Sequence, residues 1–288
     1  MEKYKPIIDN WEAFKQQSGN HPLQGIRRNP LKARSDFKER LGESFDYEQA
    51  SWNKKIYRVS SELPGKTLLH WRGEYYVQEE SAALPVDVLD PQPGEKVLDM
   101  CAAPGGKSTQ IAAKMDNQGL VVANDSSGKR MKSLHANVYR TGSKIVEATN
   151  YDGRNIPEDE KFDRVLVDAP CSGEGDSYYR DFSAADREES QDLSRLQRQL
   201  LEKAGKLVKD GGTVVYSTCT ISPVENEGVV TDVVENTELR LEDVETDAEH
   251  VRGVESFEEE SYPKARNTVR VLPHHLKSGV IYVARLSK

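Results

Sequence analysis

Two of the three cysteines in this sequence follow short apolar runs that are rich in β-branched residues. Cys171 ends the run RVLVDAPC, and Cys219 ends the run GTVVYSTC. Each run predicts a buried strand, and ligands of α/β proteins bind beyond the carboxyl ends of the strands. A single buried cysteine is most often a small apolar core residue. Two thiols at equivalent strand ends predict a shared pocket, in which a thiolate can act as a nucleophile.

The composition is that of a hydrophilic globular protein of 288 residues, of which 36% are hydrophobic. Mean hydropathy is −0.73. No apolar run approaches the roughly 18 residues of a membrane span, and the first residues, MEKYK, precede no apolar core of a secretory signal. Three cysteines, odd in number and far apart, do not make a disulfide framework. We therefore expect a cytoplasmic protein with reduced thiols and no membrane partner.

The net charge of −8 is unevenly distributed. Residues 224–260 contain 14 acids and two bases, so the remaining residues sum to +4. Residues 1–70 hold 13 bases against nine acids, and residues 261–288 hold six bases and no acids. The acidic segment is typical of a solvated surface, and a basic face for nucleic acid remains available elsewhere.

The pattern of elements divides the chain into residues 1–85, a small α+β unit, and residues 86–288, where strands and helices alternate. Such alternation predicts parallel strands joined by crossover helices. The fold class is therefore α/β, with a Rossmann-like sheet. We expect its strands at 96–100, 120–124, 145–148, 162–167 and 213–217. Helices are expected at 107–115, 127–140, 193–208 and 224–236. Two late strands, 268–272 and 279–286, are expected to add antiparallel at the edge.

A glycine-rich turn, DMCAAPGGKST, follows the first strand of this sheet. Its small residues let a ligand approach the backbone closely, although the spacing matches neither a Walker loop nor G-x-G-x-x-G. Asp125 ends the second strand, where it can accept hydrogen bonds from ribose hydroxyls or cap the next helix. Asp152, after the third strand, can meet an adenine amino group or shape a turn. NAD and S-adenosylmethionine both fit this pattern.

Three segments, DMCAAPGGKST, DAPCSGEG and YSTCTISPVENE, resemble in order and spacing the Nop/Sun family of RNA cytosine-5 methyltransferases. The resemblance spans about residues 75–286 and extends more weakly to IRRNPLK at 26–32, which is similar to an RNA-contacting segment of the family. It implies a Rossmann-like methyltransferase domain at 86–288 and an RNA-contacting domain at 1–85. It also implies that S-adenosylmethionine is bound by Cys101, Ala102, Ala103, Pro104, Gly105, Gly106, Lys107, Asp125, Arg130, Asp152 and Asp168.

The same resemblance implies that Cys219 is the nucleophile and that Cys171 assists product release. Carbon 5 of cytosine is a poor nucleophile until a thiolate adds to carbon 6, which turns carbon 5 into an enamine carbon. Asp168 is the candidate acid near ring nitrogen 3, either protonated or sharing a proton there. Cys171 is a plausible base or relay for the proton that leaves carbon 5. A DNA methyltransferase uses one Pro-Cys cysteine, so the second cysteine favours the RNA class.

Basic residues at both ends are candidates for RNA phosphate contacts, with ordinary surface charge as the alternative. They are Arg27, Arg28, Lys32 and Arg34, and in the tail Lys264, Arg266 and Arg270. Tyr178 and Tyr179 can stack on RNA or cover a core edge. His274 and His275 are expected to be a solvated pair, and no metal is predicted.

Two other functional classes compete with an RNA methyltransferase. An NAD-dependent oxidoreductase would explain Asp125 but leave both strand-end cysteines without a role. A catalytically silent RNA-binding protein would leave the nucleophile and cofactor motifs unused. Because the compact chain resembles the small archaeal tRNA-modifying members of the family, tRNA is the first expected substrate and ribosomal RNA the second. A monomer is expected.

Overall fold

The computed structural model describes residues 1–17, 24–61, 63–175 and 187–288. Its amino-terminal part contains a four-stranded antiparallel sheet in the order β2-β3-β1-β4. The strands are β1 (Gln24–Arg28), β2 (Tyr47–Gln49), β3 (Ile56–Val59) and β4 (Tyr75–Val77), and the helices are α1 (Trp11–Gln17), α2 (Phe37–Gly42) and α3 (Leu68–Trp71). Ile26, Tyr57 and Tyr75 bury one face of this sheet against Phe37 and Leu41 of α2.

A second, nine-stranded sheet forms the rest of the molecule, in the order β11-β14-β15-β9-β8-β5-β6-β7, with β10 paired to β15. Its strands are β5 (Lys96–Asp99), β6 (Leu120–Asn124), β7 (Val146–Thr149), β8 (Phe162–Asp168), β9 (Val208–Thr218), β10 (Arg240–Glu242), β11 (Val251–Arg252), β14 (Val269–Val271) and β15 (Ile281–Ser287). A separate hairpin pairs β12 (Ser256–Phe257) with β13 (Glu260–Ser261). The helices are α4 (Leu84–Leu89), α5 (Gly106–Lys114), α6 (Gly128–Thr141), α7 (Arg187–Leu207), α8 (Glu227–Asn236) and α9 (Pro273–Leu276).

The central strands β7, β6, β5, β8 and β9 are parallel, and β15 adds antiparallel to β9. This confirms the predicted α/β class and the late antiparallel addition. Two boundaries differ from the prediction by five or six residues, since α7 begins at Arg187 rather than at 193 and β9 begins at Val208 rather than at 213. The first part of β9 contains three exposed residues, Lys209, Asp210 and Gly211. Because these residues lack the apolar pattern of a buried strand, the sequence does not predict a strand there.

Alternating side chains of the central strands enter two hydrophobic layers. Leu98, Val165 and Val214 lie on the face covered by α7. Val97, Leu166 and Val215 lie on the opposite face, which α4 and α5 cover. Burial on both faces explains the continuous apolar runs at residues 165–167 of β8 and 214–216 of β9. Within the described residues, no helix is long and apolar enough to cross a membrane.

The amino-terminal part of the molecule packs on the carboxyl end of helix α6 through a close backbone approach. Asn29 donates from Nδ2 to the carbonyl oxygens of Gly73 and Thr141, each at 2.8 Å. Gly73 has a φ of +75°, and a Cβ there would lie 1.9 Å from the Arg140 carbonyl oxygen. Only glycine fits this position, so the contact between the amino-terminal part and helix α6 depends on Gly73.

A buried ion pair ties strand β14 to helix α8. Arg270 donates from Nε to Glu227 Oε1 at 2.6 Å, and the two side chains are 2% and 0% exposed. Arg270 also donates to the Ile221 carbonyl oxygen at 2.8 Å, just beyond Cys219 in the chain. The expectation that Arg270 contacts RNA phosphate is therefore wrong, because its guanidinium is buried and paired.

We expect Glu227→Gln to lower the free energy of unfolding by about 3–5 kcal/mol, because it leaves the Arg270 guanidinium buried without a counter-charge. Urea denaturation measures the loss. Glu255→Gln is the control, since Glu255 pairs with Arg266 where the side chains are 52% and 74% exposed. That pair is expected to contribute less than about 1 kcal/mol. Equal losses in the two variants would contradict the prediction.

Candidate active site

The carboxyl ends of β5, β8 and β9 meet at one edge of the large sheet. The three strands are parallel neighbours, with Asp99 beside Leu166 and Asp168 beside Ser217 in the register. Each of the three cysteines follows the end of one of these strands. The sequence prediction that two strand-end thiols share one pocket therefore has the required topology.

The sulfur atoms of Cys171 and Cys219 are 3.3 Å apart, and none of the three cysteines forms a disulfide. Both side chains are partly exposed. Gly175 donates its backbone N–H to the Cys219 carbonyl oxygen at 2.7 Å. A Cβ at Gly175 would lie 2.4 Å from that oxygen, so the loop after Cys171 can pass this close only with glycine.

Hydrogen bonds between the two cysteine loops hold the thiols at this separation. Ser172 Oγ lies 2.8 Å from Thr220 Oγ1, and the Ser172 N–H donates to Glu225 Oε2 at 3.0 Å. Glu174 accepts from Thr220 Oγ1 at 2.8 Å and from Tyr4 Oη at 3.0 Å. Burial raises the pKa of Glu225, opposed by its hydrogen bonds from Ser172. The loop that follows Cys219 is thus braced by buried polar groups.

The sequence did not mark Glu174 or Glu225 as part of the site. Both are at most 2% exposed. Acids are rarely buried unless they are hydrogen-bonded. The small polar residues beside these two acids, in DAPCSGEG and SPVENE, are the sequence signal that could have indicated such hydrogen bonds.

Asp168, at the end of β8, links strand β9 to helix α5. Its Oδ2 is 2.7 Å from Lys107 Nζ, and its Oδ1 accepts from Ser217 Oγ at 2.7 Å. Burial lowers the pKa of Lys107, but the charge of Asp168 and its hydrogen bond, together with Asp99, raise the pKa above its ordinary value overall. Lys107 is therefore a charged partner of Asp168, a role that the glycine-rich loop alone did not suggest.

The loop from Cys101 to Gly106 is held against the end of β6. The Ala102 N–H donates to the Asn124 carbonyl oxygen at 2.7 Å, and the Ala103 N–H donates to Asp125 Oδ2 at 3.1 Å. Gly105 has a φ of +103° and is the N-cap residue that precedes α5. Pro104 lies between them and receives Asn137 Nδ2 on its carbonyl oxygen at 2.9 Å.

Carboxylates stand along the edge from β5 to β7. Asp125 is 1% exposed, accepts from the Ser127 N–H at 2.9 Å and lies 3.2 Å from Arg130. Asp152 follows β7, is partly exposed and is held by Arg154, which lowers the pKa of Asp152. A carboxylate has about four acceptor sites, so both acids keep capacity for the hydroxyl and amino groups of a nucleoside.

The electrostatic field at Cys101 is negative. Burial raises the pKa of the Cys101 thiol, and the charges of Asp99, Asp168 and Asp125 raise the pKa further. Such a field favours a cationic ligand over an anionic one. These carboxylates therefore suit the sulfonium of S-adenosylmethionine better than the pyrophosphate of NAD.

Arg27 holds the glycine-rich loop, residues 101–106, in place. Its side chain is buried, at 4% exposed, and donates to the Gly106 carbonyl oxygen at 2.8 Å and to Thr109 Oγ1 at 2.9 Å. Burial lowers the pKa of Arg27 to about 10. Arg28 is partly exposed and Lys32 is exposed. Of the three candidate RNA contacts within residues 26–32, the structure thus leaves Arg28 and Lys32 at the surface.

His274 and His275 contact Asp9, at 2.9 Å and 3.2 Å from its two carboxylate oxygens. The expected solvated pair is wrong, since their side chains are 7% and 2% exposed. Leu272 donates its N–H to His275 Nδ1 at 3.1 Å. The ring therefore carries its proton on Nε2, which faces Asp9. Tyr178 and Tyr179 lie outside the described residues.

Comparisons with known proteins match both parts of the chain. A sequence model of the family described as 16S rRNA methyltransferase RsmB/F matches residues 86–287. A second, described as the N-terminal domain of 16S rRNA methyltransferase RsmF, matches residues 1–80. A solved methyltransferase homologue from Pyrococcus horikoshii has a TM-score of 0.84 at 30% identity, covering 96% of this chain and 90% of that one. The predicted Rossmann-like methyltransferase fold is confirmed.

Curated relatives include RNA methyltransferases of different lengths. The tRNA (cytosine(49)-C(5))-methyltransferase of Pyrococcus abyssi is 36% identical over 100% of this chain and 95% of its own length. The 25S rRNA (cytosine-C(5))-methyltransferase nop2 of Schizosaccharomyces pombe is 41% identical over 82% of this chain. The chain spans 41% of that relative and 36% of the ribosomal RNA small subunit methyltransferase F of Escherichia coli.

Asp99 makes the stability of this site dependent on pH. Burial raises the pKa of Asp99 to about 7, whereas an unfolded aspartate has a pKa of about 4. The folded state then holds a proton that the unfolded chain has released, so the Asp99 contribution to stability falls as pH rises between these values. Between these two pH values, we expect the free energy of unfolding of Asp99→Asn to rise relative to wild type by about 1.4 kcal/mol for each unit of pH.

Urea unfolding of both proteins at about pH 5 and about pH 8 measures this difference. The same pH dependence in wild type and in Asp99→Asn would contradict the raised pKa.

Proposed function

Because the chain belongs to the RsmB/F, or Nop/Sun, family of methyltransferases, we propose that it methylates carbon 5 of cytidine in RNA, with tRNA as the substrate. S-adenosylmethionine is the methyl donor. The observation that carries the proposal is the pair of thiols 3.3 Å apart at the strand edge, next to an Asp168–Lys107 ion pair of 2.7 Å. A nucleophile, a second thiol and a proton source thus lie around one edge, as covalent catalysis on a pyrimidine requires.

The cofactor is assigned to the edge from β5 to β7. The backbone of residues 101–106 would face its amino acid part, Asp125 would accept from the ribose hydroxyls, and Asp152 would accept from the adenine amino group. When bound, S-adenosylmethionine supplies an electrophilic methyl group on a sulfonium. The negative field at Cys101 supports this assignment and opposes a pyrophosphate, which argues against the NAD-dependent alternative. Arg130, 3.2 Å from Asp125, would cover the ribose side.

Cys219 is assigned as the nucleophile. Its thiolate forms a bond to carbon 6 of cytosine, and the electron pair of the 5,6 double bond makes carbon 5 nucleophilic while charge develops at ring nitrogen 3. Asp168 is assigned to deliver a proton or a hydrogen bond to that nitrogen. Lys107 Nζ, at 2.7 Å from Asp168 Oδ2, donates a hydrogen bond to this carboxyl group, which takes the proton back from ring nitrogen 3 when the ring is restored.

Cys171 is assigned to product release. Once carbon 5 carries the methyl group, its remaining hydrogen must leave as a proton. Cys171 accepts this proton, the C–H electron pair restores the 5,6 double bond, and the bond from carbon 6 to Cys219 breaks to return the thiolate. The two sulfur atoms are 3.3 Å apart. This distance supports the assignment, because both thiols can reach the same bound cytosine.

The amino-terminal unit, residues 1–85, is assigned to RNA contact through Arg28 and Lys32, and residues 86–288 to catalysis. Arg27 supports the cofactor loop instead, since its donors point to Gly106 and Thr109. We also propose that the chain acts as a monomer in the cytoplasm. Light scattering of the purified protein, alone and with tRNA, tests the monomer.

The choice of tRNA rests on a relative that matches the whole of this chain. The chain corresponds to 95% of the Pyrococcus abyssi relative, which is named for tRNA, and to 41% of the nop2 relative, which is named for 25S rRNA. Purified protein should label tRNA transcripts with tritiated methyl groups, and bisulfite sequencing should locate the modified cytidine. Labelling confined to ribosomal RNA fragments would replace tRNA with the runner-up substrate.

Cys219→Ala is expected to abolish methyl transfer, at least about 10³-fold, because the variant has no atom that can add to carbon 6. S-adenosylmethionine binding, measured by calorimetry, should persist, since the cofactor loop is on another strand. Cys101→Ala is the matched control and is expected to keep activity. A fully active Cys219→Ala enzyme would sink the assignment.

Cys171→Ala is expected to accumulate a covalent complex with RNA, because Cys219 can add to the base while the release step lacks its proton acceptor. Denaturing gels with labelled tRNA measure the complex. The double variant Cys171→Ala/Cys219→Ala should show none. If Cys171→Ala formed no more adduct than wild type, its role in release would be wrong.

A further inference from the structure

A basic cleft lies between the amino-terminal sheet and helix α5, away from the catalytic thiols. Its volume is about 140 Å³, and its walls include four cationic residues, Arg27, Arg28, Lys55 and Lys114, and one acid, Asp87. The cleft is reached from the surface over Lys55, which is exposed. Of these residues, the proposed function assigns Arg28 to RNA contact and Arg27 to the support of the glycine-rich loop, and it gives Lys55 and Lys114 no role.

The cleft is positive in a protein whose net charge is −8. Lys114 pairs with Asp87 at 3.0 Å and lies 3.6 Å from Asp90. These two acids offset two of the four positive charges. Burial and the charge of Lys114 lower the pKa of Lys55, and Arg27 and Arg28 contribute in the same direction. The cations therefore repel one another, and an anion between them would relieve that repulsion.

The cleft is also built rather than accidental. The Arg28 N–H donates to the Lys55 carbonyl oxygen at 2.7 Å, so these two residues are fixed as neighbours. The Lys55 N–H donates to Asn53 Oδ1 at 2.9 Å, and Asn53 Nδ2 contacts Asp87 Oδ2 of helix α4. Both parts of the molecule thus shape one preformed site, which lowers the cost of ordering it around a ligand.

We propose that this cleft binds a phosphodiester group of the RNA substrate, held by Lys55 and Arg28, with Arg27 and Lys114 providing positive charge behind them. The inference rests on the proposed function. Helix α5 connects the two places, since it begins at the cofactor loop and ends at Lys114. Eight residue steps of about 1.5 Å put Lys114 about 12 Å from that loop. An RNA chain whose target base lies at the thiols can span this distance.

The test compares Lys55→Ala with Lys54→Ala, the adjacent exposed lysine that does not line the cleft. Lys55→Ala should raise the Kd for tRNA about 5- to 10-fold and reduce the slope of log K against log salt by about one. The loss should fall on the KM for tRNA, with little change in kcat. Arg28→Ala should behave alike, and Lys54→Ala should match wild type.

Equal effects of Lys55→Ala and Lys54→Ala, or an unchanged salt slope, would overturn the proposal. Titration with inorganic phosphate separates the two sources of the anion. Binding of inorganic phosphate that depends on Lys55, together with unchanged tRNA affinity in Lys55→Ala, would mean that the cleft takes free phosphate and not RNA. Failure of the proposed function looks different, because wild type itself would then transfer no methyl group to tRNA.

Discussion

The parallel pairing of β8 with both β5 and β9 is the constraint on which the site depends. Because neighbouring parallel strands end at the same edge, residues 61 and 49 positions apart in the chain, Lys107 with Asp168 and Asp168 with Ser217, come within hydrogen-bond distance. The hydrophobic layers on both faces hold that register, since a slip of one residue would turn each buried side chain to the other face. The chemistry at the edge is therefore positioned by the core beneath it.

Much of this arrangement could be predicted from the sequence. The apolar runs before Cys171 and Cys219 specify buried strands, and their alternation with helices specifies parallel neighbours. Partners that depend on long-range packing left no local signal. The burial of Arg27 could not be told from the surface position of Arg28, because adjacent strand residues point to opposite faces and the period alone does not say which face is covered. The same holds for Arg270, whose partner Glu227 lies in an acidic stretch that is typical of surface.

The amino-terminal sheet takes part in the cofactor site as well as in the proposed RNA contact. Arg27 reaches the Gly106 carbonyl oxygen, and Tyr76 lies 3.4 Å from where a Gly106 Cβ would be. Arg27 and its neighbour Arg28 both line the basic cleft. Strand β1 thus supports the glycine-rich loop and also forms a wall of the cleft that we propose for RNA, so the two proposed binding events share one rigid element.

The contact between Gly175 and the Cys219 carbonyl oxygen has a consequence for how such enzymes diverge. Together with the bonds from Ser172 to Thr220 and to Glu225, it makes the two thiol loops complementary surfaces of a single object. We therefore expect a substitution in one loop to require a matching substitution in the other, although almost fifty residues of chain separate the two loops.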